Sequence, residues 1–189
     1  MTTVYFVRHA QPNYENHDDL TRELTEKGLR DRTLVTNFLR DKEIHAVLSS
    51  PFQRSVDTVK EFADEKGLTI GLVDDFRERR VDSGWIDDFT AFAKRQWADF
   101  TYKLSDGECL GEVQARNIAA LNRVLAVYEG KNVAIGSHGT ALSTIIHHFD
   151  PSFGYEDFDK IRGLMPWIVR FSFEGTELVE MEKIDLFSL

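Results

Sequence analysis

Three short apolar segments of the chain are each followed by residues that could bind and transfer a phosphate group. Arg8 and His9 directly follow the segment VYFV. Arg54 follows IHAVL after a polar stretch, and Ser137 and His138 follow NVAIG. Arginine offers paired N–H donors that match phosphoryl oxygens, and a neutral imidazole can attack phosphorus while a second one donates to a charged oxygen. Together these side chains predict a phosphate-handling site, provided that the fold brings them together.

The apolar segments themselves predict the strands that would position these side chains. Residues 3–7, 44–48 and 132–136 are short apolar runs typical of buried parallel strands, and 68–73 forms a weaker fourth run. Ligands of open parallel sheets bind outside the carboxyl ends of the strands, where helix N-termini also favour anions. We therefore expect both histidines and both arginines at one edge of the sheet.

Amphipathic stretches between these strands predict helices. One begins after Thr25, and another has Pro51 at its first position and Gly67 at its end. The first of these helices would bury, on one face, Leu29, Leu34, Phe38 and Leu39. Further helices are predicted over 88–103, 111–129 and 139–148. The last part of the chain predicts a hairpin that turns near Glu174 and Gly175.

Alternating strands and helices predict the α/β class and a three-layer α/β/α sandwich. Its central sheet would be mostly parallel, with an antiparallel hairpin at one edge. We expect one domain over residues 1–189, with 76–110 as a cover over the active-site end.

Composition restricts the function classes. The net charge of −9 and the absence of a Lys/Arg run argue against a nucleic-acid or anionic-membrane surface. The single cysteine, Cys109, cannot form an internal disulfide, and we find no signal peptide or apolar stretch long enough to span a bilayer. We therefore expect a soluble, cytoplasmic protein. The phosphate-handling residues at the strand ends predict a small phosphorylated substrate, and we expect a monomer or homodimer.

Five motifs in this order resemble those of the histidine phosphatase superfamily, the phosphoglycerate-mutase-like proteins. They are VRHA at 7–10, SSPFQRSVDT at 49–58, FRER at 76–79, DGECLGEVQAR at 106–116 and GSHGT at 136–140. The resemblance covers most of the chain and implies the same sandwich fold, with a C-terminal hairpin.

The resemblance also implies roles for individual residues. His9 would be the nucleophile that becomes phosphorylated. Arg8, Arg54 and His138 would hold the phosphoryl oxygens, with Gly139 of the last motif also at the substrate. Glu78 would protonate the leaving oxygen and later activate water, which typically contributes about 10²- to 10⁴-fold. No metal or other cofactor is needed for this chemistry.

Two parts of this interpretation have alternatives. Asp82 is the main rival of Glu78 as the acid, because several carboxylates are close in sequence. Many family members carry a threonine where this chain has Pro12, so Gln11, Asn13 or Asn16 would have to supply the missing substrate contacts.

The predicted activity is metal-independent hydrolysis of a phosphomonoester. The alternatives are a cofactor-dependent phosphoglycerate mutase, a protein phosphohistidine phosphatase and a catalytically silent phosphate sensor. Mutases of the family carry an adjacent arginine pair for the substrate; here Arg79-Arg80 adjoins the proposed acid and no second arginine pair follows it, which favours hydrolysis. Each of the candidate arginines and histidines could instead be an ordinary structural or surface residue. Phosphate-binding side chains that follow three different strands favour an active site.

Overall fold

One six-stranded sheet forms the centre of the molecule, as seen in a computed structural model that describes residues 1–189. Its strands are β1 (Thr2–Arg8), β2 (Ile44–Ser49), β3 (Ile70–Leu72), β4 (Asn132–Ser137), β5 (Trp167–Glu174) and β6 (Glu177–Ile184). They lie in the order β3–β2–β4–β1–β5–β6. The first four strands along the chain are parallel, whereas β5 runs antiparallel to β1 and β6 antiparallel to β5. This confirms the mostly parallel sheet with an antiparallel edge hairpin.

Helices cover both faces of the sheet. They are α1 (Glu26–Leu39), α2 (Gln53–Lys66), α3 (Phe89–Ala98), α4 (Leu110–Val127), α5 (Gly139–Phe149) and α6 (Tyr155–Ile161). Leu39 and Phe62 of α1 and α2 are buried in one core, and Leu121 and Ile145 of α4 and α5 are buried in the other. Two cores on opposite faces of one sheet confirm the three-layer sandwich. None of the helices combines the length and apolarity that crossing a bilayer requires.

Local signals of the sequence explain where several elements begin and end. The Thr25 hydroxyl accepts a hydrogen bond from Gly28 N–H at 3.0 Å and so caps α1. Gly67, with φ 66°, closes α2 in the left-handed conformation that glycine adopts without strain. Gly175, with φ 58°, lies in the turn between β5 and β6, as the hairpin prediction requires.

The buried face of α1 differs from the predicted one. Leu29 is 43% exposed, whereas Gly28, Val35 and Leu39 are buried. The reason is a close backbone contact, because a Cβ atom on Gly28 would lie 2.3 Å from the carbonyl oxygen of Gln11. This contact turns the first turn of α1 toward the loop after β1 and leaves Leu29 in solvent.

Two helix boundaries and one whole helix also differ from the prediction. The second helix, α2, begins at Gln53 with Phe52 as its N-cap, so Pro51 precedes the helix instead of opening it. The third helix, α3, stops at Ala98, because Asp99 accepts hydrogen bonds from the Thr101 backbone and hydroxyl and forms a turn. The short helix α6 was not predicted, since its charged sequence lacks a clear apolar period.

Close packing behind the site depends on Gly136 at the end of β4. A Cβ atom there would lie 2.6 Å from Ser49 Oγ and 2.8 Å from Ser55 Oγ. Because only a glycine allows this approach, β4 can lie against both β2 and α2 immediately before His138. The glycine thereby brings two of the predicted strand ends together.

Candidate active site

His9 follows β1 and has one ring nitrogen available for attack. Its Nδ1 lies 2.8 Å from the carbonyl oxygen of Ala10. A carbonyl can only accept, so Nδ1 carries the proton and Nε2 keeps its lone pair. Burial, followed by the nearby Arg54 and Arg8 guanidinium groups, holds the pKa of His9 well below its usual value. The imidazole is therefore neutral at neutral pH, as a nucleophile must be.

His138 lies beside His9, with their ring centroids 5.3 Å apart, and is completely buried. Its Nε2 is 2.8 Å from Ser50 Oγ, which already accepts a hydrogen bond from Phe52 N–H at 3.2 Å. The Ser50 hydroxyl can donate to Nε2, and in that tautomer the His138 proton lies on Nδ1. This Nδ1 has no partner in the protein, so in that tautomer it is a buried donor free for an anionic oxygen. Ser50 is a site residue that sequence reasoning missed.

Arg8 is buried between the strand end and the segment after α6. Its Nη1 donates to the carbonyl oxygens of Ile161 at 2.5 Å and Leu164 at 3.2 Å, while its Nε has no partner. Burial lowers its pKa to about 10, so the group stays cationic at neutral pH. Gly139 lets the Arg8 guanidinium pack closely against the start of α5, because a Cβ atom at this position would lie only 3.1 Å from that group.

Arg54 is buried, and a carboxylate already contacts it. Its Nη1 donates to the Asp19 carbonyl at 2.8 Å and its Nη2 to Asp19 Oδ1 at 3.2 Å. Arg22 donates to the same Oδ1 at 2.9 Å. The Asp19 carboxylate is therefore shared by the guanidinium groups of Arg22 and Arg54. A phosphoryl group that binds Arg54 would lie close to this carboxylate. No sequence motif indicated Asp19 or Arg22.

Glu78 is held at the N-terminus of α5. Its Oε2 accepts from Thr140 N–H at 3.0 Å, and its Oε1 accepts from Ala141 N–H at 3.0 Å and Arg79 N–H at 2.8 Å. The helix end that we expected to favour a phosphate thus binds this carboxylate instead. Asp82, the rival acid, contacts only the neighbouring Ser83 N–H among the site's backbone groups. The structure ties Glu78, and not Asp82, to the element that carries His138.

A cavity of about 1170 Å³ connects these groups. Its arginines outnumber its carboxylates, although the whole chain has a net charge of −9. The arginines are Arg8, Arg22, Arg54, Arg77, Arg79, Arg80 and Arg162, and the acids are Asp18, Asp19, Glu78, Asp82 and Asp159. His9 and Gly139 line the cavity, and His138 lies behind them. The local excess of cations suits an anionic ligand.

Two predicted substrate contacts are not brought to this cavity. The Gln11 side-chain oxygen accepts from the Thr25 hydroxyl at 2.9 Å, and the Asn13 amide donates to Glu23 at 2.7 Å. Neither Gln11 nor Asn13 lines the cavity. The same loop instead contributes Pro12, Tyr14 and His17 to the lining. These amides stabilise the loop, because their partners lie within it or at the start of α1.

No group of three or more His, Cys, Asp or Glu side chains converges in the way that a metal site requires. His147, adjacent to His148 in α5, has its Nδ1 2.8 Å from the Phe153 carbonyl and its ring 4.6 Å from that of Phe100. These contacts make His147 a packing residue.

The buried histidines predict a specific dependence of stability on pH. Burial also holds the pKa of His138 well below 6.5, as for His9. Below pH 6.5 the unfolded chain protonates both imidazoles while the folded chain does not, so stability present at pH 7 is lost as the pH falls. The loss should be about 1.4 kcal/mol per pH unit for each histidine. Urea unfolding between pH 7 and 5 measures it, and a slope that His9→Ala leaves unchanged would contradict the assignment.

Ser50 provides a second test of the site. Ser50→Ala removes the hydroxyl that contacts His138 Nε2, so the buried imidazole loses the partner that holds its ring, and we expect kcat to fall about 10- to 100-fold. Ser50→Thr, which keeps a hydroxyl, should restore most of the activity. The matched control is Ser143→Ala, because the buried Ser143 hydroxyl has no hydrogen-bond partner. Equal losses in Ser50→Ala and Ser143→Ala would show that the Ser50 contact does not act through His138.

With this geometry established, comparison with known proteins identifies the family. The model of the histidine phosphatase superfamily (branch 1) matches residues 4–180. The chain therefore belongs to the histidine phosphatase superfamily, as its motifs indicate.

Individual relatives resemble the chain more loosely. A probable phosphoglycerate mutase GpmB of Yersinia pestis is 29% identical over 160 residues, which cover 77% of this chain and 74% of that protein. YhfR of Bacillus stearothermophilus has a TM-score of 0.79 at 22% identity, covering 94% of both chains. A mycobacterial glucosyl-3-phosphoglycerate phosphatase has a TM-score of 0.76 at 16% identity, covering 96% of both chains. These two structures show that the fold is shared.

Proposed function

We propose that this protein is a cytosolic, metal-independent phosphomonoester hydrolase that acts through a phosphohistidine on a small phosphorylated metabolite. The observation that carries the proposal is the neutral His9, with its free Nε2, at the wall of a cavity rich in arginine. The buried and unpaired Nδ1 of His138 and the free Nε of Arg8 supply further donors for phosphoryl oxygens.

The first step transfers the phosphoryl group to the protein. His9 Nε2 attacks phosphorus, a P–N bond forms, and the P–O bond to the leaving group breaks. The bonding electron pair goes to the leaving oxygen, which takes a proton from the protonated Glu78 carboxyl group. Arg8, Arg54 and His138 balance the charge on the three equatorial oxygens, which is where electrostatic stabilisation contributes most.

The second step releases inorganic phosphate. Water gives a proton to Glu78 and attacks phosphorus, the P–N bond breaks, and His9 regains its lone pair. Glu78 acts first as acid and then as base, so one carboxyl group serves both steps. Its three backbone N–H contacts fix its position for this exchange.

The proposal is tested with 4-nitrophenyl phosphate and a panel of phosphomonoesters, each with and without a chelator. Release of phosphate that the chelator does not reduce supports a metal-independent hydrolase. Because one relative is a probable phosphoglycerate mutase, the same preparation is tested for interconversion of 2- and 3-phosphoglycerate with a bisphosphate primer. Interconversion faster than hydrolysis would favour a mutase, and ligand-induced melting shifts without turnover would favour a sensor.

A further inference from the structure

Two aromatic rings from distant parts of the chain meet at the cavity wall. The His17 and Trp85 rings stack with their centroids 4.2 Å apart and their planes 10° from parallel. Both residues line the cavity, and Trp85 remains 58% exposed. We call this pair the His17–Trp85 clasp. A large apolar ring that is left in solvent beside an active site has a face available for a ligand.

The clasp joins two segments that have no helix or strand. His17 lies in the loop between β1 and α1, and Trp85 lies in the segment 77–88 before α3. Asp18 stiffens the first loop by accepting from Leu20 N–H at 2.8 Å. The second segment is fixed near its start, where Arg80 N–H donates to Glu108 at 2.9 Å. The first contact lies next to His17 and the second lies five residues before Trp85, and the stacking of the two rings itself joins the segments at the cavity wall.

The cavity is larger than phosphate chemistry alone requires. Its volume of about 1170 Å³ exceeds the range of roughly 300–1,000 Å³ usual for sites of drug-sized ligands. Tyr14, which is 51% exposed, also lines the cavity, as do Phe52, Phe89 and Phe158. Aromatic faces stack on the faces of other rings, and they gain little from a short flexible chain.

We propose that the His17–Trp85 clasp selects phosphomonoesters whose leaving group carries a ring, such as a sugar or a nucleoside, over short-chain phosphates. This inference rests on the proposed hydrolase function and names its substrate class. Arg54 and His9 hold the phosphoryl end, and the exposed face of Trp85 receives the ring. The clasp acts on recognition of the leaving group and takes no part in the transfer itself.

Glucose 6-phosphate and adenosine 5′-monophosphate are compared with glycerol 3-phosphate, because all three release a primary alcohol of similar reactivity. We expect the wild-type kcat/KM to be higher for at least one ring-bearing probe. Trp85→Ala should lower that value about three- to tenfold and leave glycerol 3-phosphate unchanged, since one stacking contact is lost. Trp85→Phe should keep most of the preference.

Variants of His17 separate stacking from charge. His17→Ala should weaken the ring preference because Trp85 loses its support, whereas His17→Phe should retain it. Val127→Ala, at a residue that is 73% exposed on α4 and outside the cavity, is the control and should change nothing.

The possible failures are distinguishable. If the wild type hydrolyses 4-nitrophenyl phosphate but prefers glycerol 3-phosphate, or if Trp85→Ala lowers all probes equally, the clasp does not select rings and only this inference is overturned. If no phosphomonoester is hydrolysed, the proposed function fails and the substrate class fails with it.

Discussion

His9→Ala is expected to lower kcat for every phosphomonoester by at least about 10⁴-fold, because His9 forms the phosphoryl–enzyme bond in the proposed mechanism. The His9 ring is the imidazole at the cavity wall whose Nε2 lone pair is left free by the contact of Nδ1 with Ala10. His138 cannot replace it, since its Nε2 is engaged by Ser50 and its ring is completely buried. The loss should therefore be the same for good and poor leaving groups.

Steady-state hydrolysis of 4-nitrophenyl phosphate measures this effect, and rapid acid and alkaline quenches with labelled substrate identify the intermediate. A phosphohistidine is acid-labile and stable in alkali, so the label should stay on the wild type only after alkaline quenching. His148→Ala is the matched control, because His148 is an exposed histidine at the end of α5 and should be replaceable without loss. Activity that survives in His9→Ala, or a label that resists acid, would rule out His9 as the nucleophile.

Glu78→Gln has the second largest expected effect, and its size should depend on the leaving group. An alkoxide leaves poorly without a proton, so kcat for an alkyl phosphate should fall about 10²- to 10⁴-fold. Nitrophenolate leaves without protonation, so the transfer step with 4-nitrophenyl phosphate should be much less affected. A burst of nitrophenolate followed by slow turnover is expected, because dephosphorylation still needs Glu78 to activate water.

Asp82→Asn is the matched control for Glu78→Gln. Both carboxylates line the cavity, but Asp82 lacks the contacts with Thr140 and Ala141 that place Glu78 at the start of α5. We expect Asp82→Asn to keep near-normal rates with both leaving groups. If Asp82→Asn instead shows the dependence on the leaving group expected for Glu78→Gln, then Asp82 and not Glu78 is the general acid.

Much of the fold and the centre of the site could be predicted because the signals are local. Short apolar runs ending in Arg8-His9 and in Ser137-His138 identify strands and strand ends without reference to the rest of the chain. Parallel strands place their carboxyl ends on one edge, so Arg54 also had to lie nearby. Gly67 and Gly175 marked the end of α2 and the hairpin turn for equally local reasons.

Other features could not be predicted, because they depend on which surfaces meet. Leu29 has the right spacing for the buried face of α1, but the contact of Gly28 with the Gln11 backbone leaves it exposed. Gln11 and Asn13 have suitable side chains in a suitable loop, yet each is engaged outside the cavity. Composition gives no information about such pairings.

The sequence by itself determined the main strands and helices, the family motifs and the arginine and histidine side chains at the strand ends. The tertiary structure alone decided which carboxylates occupy two of the anion-binding positions. Asp19 binds Arg54, and Glu78 accepts hydrogen bonds from the N-terminal N–H groups of α5. It also decided that Ser50 fixes His138 and that His17 meets Trp85. Apolar periodicity and the residues at strand ends are local properties of the sequence, whereas contacts between irregular loops arise only when distant segments pack together.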